Sequence, residues 1–492
     1  MAGYLLVVNL IILPSTLLSQ NSETDYILQA KQAIFSLDTG MASQMLQTEL
    51  KHNPDNGFVY YYQNYLHFLQ TLLSGGMQEY TEYSEYAENR LKSLKILDDK
   101  NPEYLYFLSA VYLQTSLLDF FNGESWHGAK NFYMAHRHIH ENNLIYPEYP
   151  ANQKILGIIE LLLSSIPSDK EWLFDILGMK GDRDAGIEKL QEYSDNCNPE
   201  DRPEALLIFT LASNHFAADP SLAFSEISET VSSSSASPLY QYVYALSANN
   251  AGKQDEAFNM LSSRETDRNI YQIPFADLLL AEILISRLDE QASVYYDRFI
   301  SEYRGTNLKK MAYHKLSWHY FLNGDDRLYQ EKKSLAQTDG NTFLEQDKQA
   351  LAEAMDTFRL NHVLLRARLF YDGAHFSEAL EVLLKISDAD LVTVKDQIEY
   401  AYRLARVYHA LEDISPAKKN YMVALDKGAA FPFYFAPYSA LKLAEIYESE
   451  RDFIHAGKYY LTCLDLNRHQ YTRSIGSEAR AGIKRVRDYS NE

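Results

Sequence analysis

The sequence predicts an all-α protein built as a row of stacked helix pairs, a solenoid. Proline and glycine are scarce, at 14 and 20 of 492 residues, and no convincing alternation of polar and apolar residues predicts a strand. One helix-pair pattern is written twice near the C-terminus at a fixed period of 39 residues, which is typical of proteins whose units pack mainly on their neighbours. Its matched positions are Leu404, Ala405, Tyr408, Ala417, Tyr421 and Leu425, which recur as Leu443, Ala444, Tyr447, Ala456, Tyr460 and Leu464.

Small residues recur at a fixed spacing inside each pair. In both copies a second Ala follows the first by twelve residues, and an aromatic follows the first Ala by three. The same spacing joins three other pairs, namely Ala367 and Ala379, Ala245 and Ala257, and Ala30 and Ala42. This spacing resembles the tetratricopeptide repeat, which implies a right-handed superhelix. The five residues beyond that repeat's usual 34 fit a longer connection holding Phe431-Pro432-Phe433.

The elements follow one another along the chain as helices separated by turn residues. Residues 25–51 predict a first pair, which the turn at 53–57 ends. Residues 58–98 are helical with a break at 74–76, and the next pair opens at 101–102. Beyond residue 198 come another pair at 199–232 and an array from Pro238, with degenerate copies at 275–303 and 310–335. The predicted organisation is a leader at 1–19, irregular repeats at 20–200 and a regular array at 201–492.

The N-terminus predicts export. Residues 1–20 contain no charged side chain, and Tyr4–Leu13 is an apolar run too short to span a bilayer comfortably. It suits the core of a signal peptide, with cleavage after Ser19 and a mature start at Gln20. We therefore expect a periplasmic or envelope location, with the cytoplasm as the alternative. We expect no stable membrane span.

Residues 152–192 carry the most distinctive stretch, "LGIIELLLSSIPSDKEWLFDILGMKGDRDAGIEKLQEY". Ser168 is predicted to cap a short helix, Gly178 and Gly181 to mark a tight turn, and Asp182 to cap the next helix. The stretch resembles the tetratricopeptide repeat protein 39 family, which includes the fungal inclusion-body-clearance proteins. The resemblance implies a non-catalytic helical scaffold linked to lipid and inclusion-body handling. Those relatives are intracellular, so the apparent leader suggests an exported bacterial relative.

The formal charge of −21 argues against binding to phosphate backbones or anionic lipid headgroups. The basic end, "RSIGSEARAGIKRVRD", is interpreted as a cationic last helix, which the helix dipole favours. We therefore expect no nucleic-acid partner.

Three sequence features could indicate a chemical site, but each is better explained by a structural role. His136 and His140 share a helix face at a known metal-ligand spacing, but no third ligand is evident, so no metal is predicted. "GMKGDRDAG" lacks the lysine of a phosphate-binding loop and is interpreted as a turn with a helix cap. Cys463 is expected to be a packed thiol, and Cys197 lies in a turn. We find no catalytic motif and expect neither an enzyme nor a cofactor.

The predicted function is a scaffold whose concave face holds a protein or peptide. By repeat position, Asn249, Tyr402 and Lys442 are the candidate partner-binding residues. One alternative is a carbohydrate- or lipid-binding protein that uses tyrosine clusters such as "FVYYYQNYLHF" and "EYTEYSEY". Another is a catalytic domain within residues 60–200, which would bring titratable groups together in a deep cleft.

Overall fold

The computed structural model describes residues 23–95, 100–166, 179–216, 220–231, 237–264, 271–466 and 472–489. These segments contain 24 α-helices and no strand, as the sequence predicts. The leader at 1–19, the predicted helix cap Ser168 and the predicted turn residue Gly178 lie outside them. None of the helices in the described segments is long and apolar enough to cross a bilayer.

The helices alternate with short connections along the chain. In order they are α1 Asp25–Phe35, α2 Thr39–His52, α3 Gly57–Ser74, α4 Met77–Leu94, α5 Pro102–Phe121, α6 Ser125–Ile145, α7 Ala151–Ser164, α8 Arg183–Asn196, α9 Arg202–Phe216, α10 Pro220–Thr230, α11 Pro238–Asn250, α12 Gln254–Ser262, α13 Pro274–Ser286, α14 Ala292–Glu302, α15 Lys309–Leu322, α16 Asp326–Thr338, α17 Glu345–Met355, α18 His362–Asp372, α19 Phe376–Leu384, α20 Val394–Ala410, α21 Ile414–Gly428, α22 Phe435–Ser449, α23 Phe453–Asp465 and α24 Thr472–Tyr489.

Successive helices pack in pairs, from α1 with α2 to α22 with α23, and the first helices of neighbouring pairs also touch. The fold is therefore a helix-pair solenoid. Two helices stand outside the pairing. α24 closes the C-terminal end against α22 and α23, and α17 packs on α15 and α16. The carboxylate of Asp347 fixes α17 to the start of α15, because it accepts hydrogen bonds from the backbone N–H groups of Leu308 (2.6 Å) and Met311 (3.1 Å).

One turn geometry joins the two helices of many pairs. A residue with left-handed φ near 60° ends the first helix, and the next N–H donates to the carbonyl five residues back, for example from Asp413 to Tyr408 at 2.9 Å. Gly252 and Gly324 hold this position without steric cost. Non-glycine residues take it elsewhere, at Leu37, Leu288, Ala374, Glu412 and Arg451.

The first half has one continuous core, which runs from Ile27 to Val243. It contains three of the four tyrosines in the stretch "FVYYYQNYLHF", because Tyr61, Tyr62 and Tyr65 are all buried. The predicted domain boundary at residue 200 stays a prediction, and this core extends on both sides of it.

The winding also brings the N-terminal helices back onto the middle of the array. The N–H of Arg304 donates to the carbonyl of Ser74 (3.1 Å), and the amide of Asn307 donates to the carbonyl of Phe121 (2.8 Å). The N–H of Tyr271 donates to the carbonyl of Leu37 (3.2 Å). Residues about 200 positions apart in sequence therefore join the first pairs to α13 and α14, in addition to the contacts between neighbours.

The C-terminal repeats have a separate core that runs from Ile398 to Val486. Ala405, Ala417, Ala444 and Ala456 are all fully buried there, as the 39-residue match predicts. Cys463 is buried as well, which confirms the expected packed thiol, and burial raises the pKa of this thiol to about 12.

Candidate functional site

A groove of about 430 Å³ lies along the first helices of the second half. α17 also contributes to its walls, and Ile475 of α24 closes one end. The polar and aromatic side chains that line it include Glu282, Lys315, Gln349, Asp372, Arg406 and Tyr438. Because one cavity receives side chains from so many helices, the groove is a product of the stacking and not of any single pair.

An ion-pair network centred on Glu353 forms one wall of the groove. Arg368 binds both carboxylate oxygens of Glu353, at 3.0 and 3.1 Å, and His314 Nε2 lies 3.1 Å from the same carboxylate. The amide of Gln349 donates to it as well, at 2.9 Å. Burial alone would raise the pKa of Glu353, but Arg368 and His314 hold it well below its usual range. Glu353 is therefore a permanent acceptor in this network.

Trp318 of α15 lies behind this network and is 1% exposed. The guanidinium of Arg368 stands 4.5 Å from the Trp318 ring and the ammonium of Lys315 stands 4.6 Å from it. His314 packs edge-on against the same ring, with 4.7 Å between centroids. The indole thus makes cation–π contacts with Lys315 and Arg368, and these contacts fix the positions of both side chains at the groove.

Arg406 of α20 provides a second cation in the groove. Its guanidinium stands 3.9 Å from the ring centre of Tyr371 and 5.6 Å from that of Tyr402. Burial alone would lower the pKa of Arg406, but Tyr402, Tyr371 and Asp372 raise it above its ordinary value. Arg406 stays protonated, so the groove presents a fixed positive charge in a chain whose net charge is −21.

Of the three predicted partner-binding residues, Tyr402 is the one that lines the groove. It is buried, and its ring lies 5.8 Å from that of Tyr438. Lys442 is next to it, because its ammonium stands 5.2 Å from the Tyr438 ring and 2.6 Å from the Glu445 carboxylate. Asn249 lies at the end of α11, where it accepts a hydrogen bond from Gln254 at 3.3 Å.

A smaller cavity of about 130 Å³ lies on the other side of the Glu353 network. Two connections between repeats meet there, at residues 356–361 and 429–434. Phe358 packs edge-on against Phe433 at 5.5 Å, and the Lys395 ammonium stands 4.7 Å from the Phe358 ring while bonding to Asp356 at 2.6 Å. Sequence reasoning identified Phe433 only as part of a longer connection. It missed Trp318, Glu353 and Arg368, which carry no repeat signature.

The candidate chemical sites have the following geometry. The rings of His136 and His140 lie 4.1 Å apart, and burial, with His140 close by, lowers the pKa of His136 to about 4. No group of three potential metal ligands occurs among the described residues. Asp182 caps α8, as predicted, and accepts from the N–H groups of Asp184 and Ala185 at 3.0 Å.

The tyrosine clusters lie mostly inside the protein. Besides the three buried tyrosines of the first cluster, Tyr83 of the second is enclosed, whereas Tyr86 is 49% exposed. The carbohydrate- or lipid-binding alternative therefore stays a prediction that depends on a few exposed rings such as Tyr86 and Tyr133.

Within residues 60–200, Lys154 belongs to an enclosed ion pair and not to an open cleft. Lys154 binds Glu204 at 2.9 Å, and their side chains are only 4% and 3% exposed. The Lys154 ammonium is surrounded by the rings of Tyr61, Tyr106 and Tyr193. This arrangement holds α7 to α9 and to the core, and it offers no open face to a substrate.

The stacked pairs and their buried small residues define a tetratricopeptide-like helical repeat protein. No protein-family model and no curated protein matches the sequence. The chain is similar to the crystal structure of the APC/C hetero-tetramer Cut9–Hcn1, with 13% identity over 95% of this chain and 99% of that chain and a TM-score of 0.28. It is also similar to a circular tandem repeat protein with novel repeat topology, with 12% identity over 94% and 92% and a TM-score of 0.16.

Proposed function

We propose that this protein is a non-catalytic scaffold that holds an extended protein or peptide segment in the groove of its second half. The observation that supports this most is the groove itself, in which side chains from successive first helices meet in one cavity. Helix-pair arrays use such concave faces for recognition. The mixture of fixed cations, amides and tyrosine rings suits a peptide, whose backbone needs both donors and acceptors.

Tyr402 and Lys442 belong to the proposed binding face, because one lines the groove and the other contacts Tyr438 in its wall. Arg406 and Lys315 extend this face. Asn249 stays a prediction for a second contact further along the array.

The site is tested by capture from native extract on wild-type protein and on two charge-reversed variants. Arg406→Glu changes the groove, whereas Lys419→Glu changes an exposed residue of α21, a second helix that lies outside the groove. We expect a partner that wild type and Lys419→Glu retain and that Arg406→Glu loses. A partner retained equally by all three proteins would place binding on another face.

We further propose that the protein acts in the cell envelope after removal of its leader, as an exported relative of the tetratricopeptide repeat protein 39 family. The support is the uncharged apolar run Tyr4–Leu13 together with the pattern Gly181-Asp182-Arg183-x-x-Gly186. N-terminal sequencing of the protein from its native host is expected to begin at Gln20. Recovery of intact Met1 from the cytoplasmic fraction would contradict export.

A further inference from the structure

The charged side chains of the groove are not all paired with one another. Its acidic and basic residues come from four first helices and from α17. They are Glu282, His314, Lys315, Glu353, Arg368, Asp372 and Arg406. Two of them, Glu282 of α13 and Arg406 of α20, make no ion pair or hydrogen bond with any other residue in the described segments.

The other five bind one another. Arg368 and His314 both contact the Glu353 carboxylate. The Asp372 carboxylate lies 4.0 Å from the Lys315 ammonium and 3.8 Å from Arg368 Nε. These contacts leave one cation and one carboxylate of the groove without a partner.

Arg406 is held in place but keeps its hydrogen-bonding capacity. The rings of Tyr371 and Tyr402 position its guanidinium, and none of its five N–H donors reaches an acceptor in the described part of the chain. The side chain is partly exposed, and its nitrogens are not among the enclosed atoms that lack a partner. The donors are therefore open to the groove, and their fork geometry matches a carboxylate.

Glu282 is the complementary group. Its side chain is also partly exposed, and its carboxylate oxygens are not among the enclosed atoms that lack a partner. Burial raises the pKa of Glu282 and Asp372 raises it further, against the opposing effect of Lys315. A second cation beside Glu282 would favour its ionised form and would gain an attraction that the fold does not already use.

We propose that the groove recognises a partner segment with one acidic and one basic side chain, the first bound by the Arg406 guanidinium and the second by the Glu282 carboxylate. This inference rests on the proposed function and specifies the charge pattern of the partner. Both residues line one cavity of about 430 Å³, so one short segment can reach them together. A segment with two acidic side chains would place like charges beside Glu282, which disfavours it.

The test uses the full-length protein and capped peptides in which Glu and Lys are separated by zero to three glycines, in both orders. Control peptides carry Gln in place of Glu, Gln in place of Lys, or Glu at both positions. We expect at least one Glu–Lys peptide to bind at least about tenfold more tightly than each of its controls, as measured by isothermal titration calorimetry.

Two variants assign the charges to their residues. Glu282→Gln is expected to bind the best peptide no more tightly than the control that lacks Lys. Arg406→Gln is expected to bind it no more tightly than the control that lacks Glu. Lys419→Gln, at an exposed position outside the groove, should bind it as wild type does.

Equal binding of the Glu–Lys peptides and their Gln controls to wild type would overturn the inference, even if the groove variants fail to fold. Tighter binding of a peptide with two Glu residues would also overturn it, in favour of a purely acidic partner. If Arg406→Glu loses the captured partner while the peptides show no preference, the proposed function stands and this inference fails. Retention of the partner by Arg406→Glu would contradict the proposed function itself.

Discussion

His67 of α3 is a partly buried histidine whose contacts predict an effect of acid on stability. Arg90 Nη2 donates to His67 Nδ1 at 2.9 Å, and the Tyr86 ring packs edge-on against the imidazole at 5.2 Å. Burial and the Arg90 charge lower the pKa of His67 from 6.5 to about 4, against a smaller opposing effect of Glu82. Protonation would set two cations against each other, so the folded state keeps this histidine neutral.

The sign of the pH effect follows from this lowered pKa. Above pH 6.5 the histidine is neutral in both states and contributes nothing. Between pH 6.5 and about 4 the unfolded chain binds the proton and the folded chain does not. The free energy of unfolding therefore decreases as the pH is lowered through this range. His67→Gln keeps an acceptor for Arg90 and removes the titration. We expect its loss of stability between pH 7.5 and 5.0, measured by urea unfolding, to be smaller than that of wild type by about 1 kcal/mol, since the ring is partly exposed and screened.

Other histidines and carboxylates titrate equally in the two proteins, so the difference between them isolates His67. If both proteins lose the same stability on acidification, His67 is not held neutral by the fold.

At the residue scale, the sequence predicts the burial of side chains that occupy repeat positions. It does not predict contacts between side chains outside those positions. The buried alanines follow from spacing alone, because close helix contacts require small residues at fixed positions. Glu353, Arg368 and Trp318 come from three helices at irregular separations, one of which is the inserted α17. Their meeting depends on the path of the array in space, and no local pattern encodes it.

At the scale of helix pairs, the contact between α7 and α8 depends on two facing glycines. A Cβ added to Gly186 would stand 2.7 Å from Leu161 Cγ and 3.1 Å from the carbonyl oxygen of Gly157. A carbonyl in a helix cannot move aside as a flexible side chain does. We therefore expect Gly186→Ala to lower the free energy of unfolding by about 1–3 kcal/mol, although Ala is the better helix former.

Gly457 of α23 provides the matched control. A Cβ there would meet only Val486 Cγ1 at 3.7 Å, an ordinary contact. Gly457→Ala should stabilise the helix by about 0.5–1 kcal/mol. Thermal unfolding of the two variants is thus expected to move in opposite directions, and a stabilising Gly186→Ala would show that α7 and α8 are not in close contact.

The C-terminal repeats allow a second prediction at this scale. Ala444 is fully buried where α22 meets its neighbours, so Ala444→Leu adds three heavy atoms to a closed contact and should cost about 1–3 kcal/mol. Because residues 398–486 have their own core, we expect hydrogen exchange to lose protection across 394–486 and not across 25–302.

Ala481→Leu is the control for this overpacking, since Ala481 of α24 is exposed in the same part of the array. It should leave protection unchanged. Unchanged protection in Ala444→Leu as well would mean that the 39-residue register is wrong.

For the whole molecule, the sequence predicts the fold class well. It predicts the helices of the regular array at 201–492 better than those of the irregular repeats at 20–200. The helix-pair solenoid follows from period and composition, and the helices at 275–303 and 310–335 are found where expected. The return of the first pairs onto α13 and α14 depends on the sum of many small rotations between pairs. Several turns could not be predicted from the sequence. Residues such as Glu412 and Arg451 take a left-handed conformation that usually indicates glycine.

That return contact predicts how the molecule unfolds. Lys154 and Glu204 form an enclosed ion pair in the first core, so Lys154→Ala leaves a buried carboxylate without its cation. Loss of one partner of a buried pair typically costs about 3–5 kcal/mol. The first core spans Ile27 to Val243, and the backbone bond from Arg304 to Ser74 ties α3 to the middle of the array. We therefore expect hydrogen exchange to lose protection throughout 25–302, while residues 435–486 stay protected.

The matched control is Lys189→Ala in the same part of the chain. Lys189 binds Glu160 at 2.9 Å in a partly exposed pair, with side chains 28% and 22% exposed, which should contribute only about 0–1 kcal/mol. Loss of protection confined to α7, α8 and α9 in Lys154→Ala would mean that the pairs open independently and that the return contact is weak. Loss along the entire chain would mean that the two cores unfold as one. We expect a pattern between these two extremes. The return contacts tie the first core to residues near α13 and α14, whereas the C-terminal core is joined to the rest of the array mainly through neighbouring pairs.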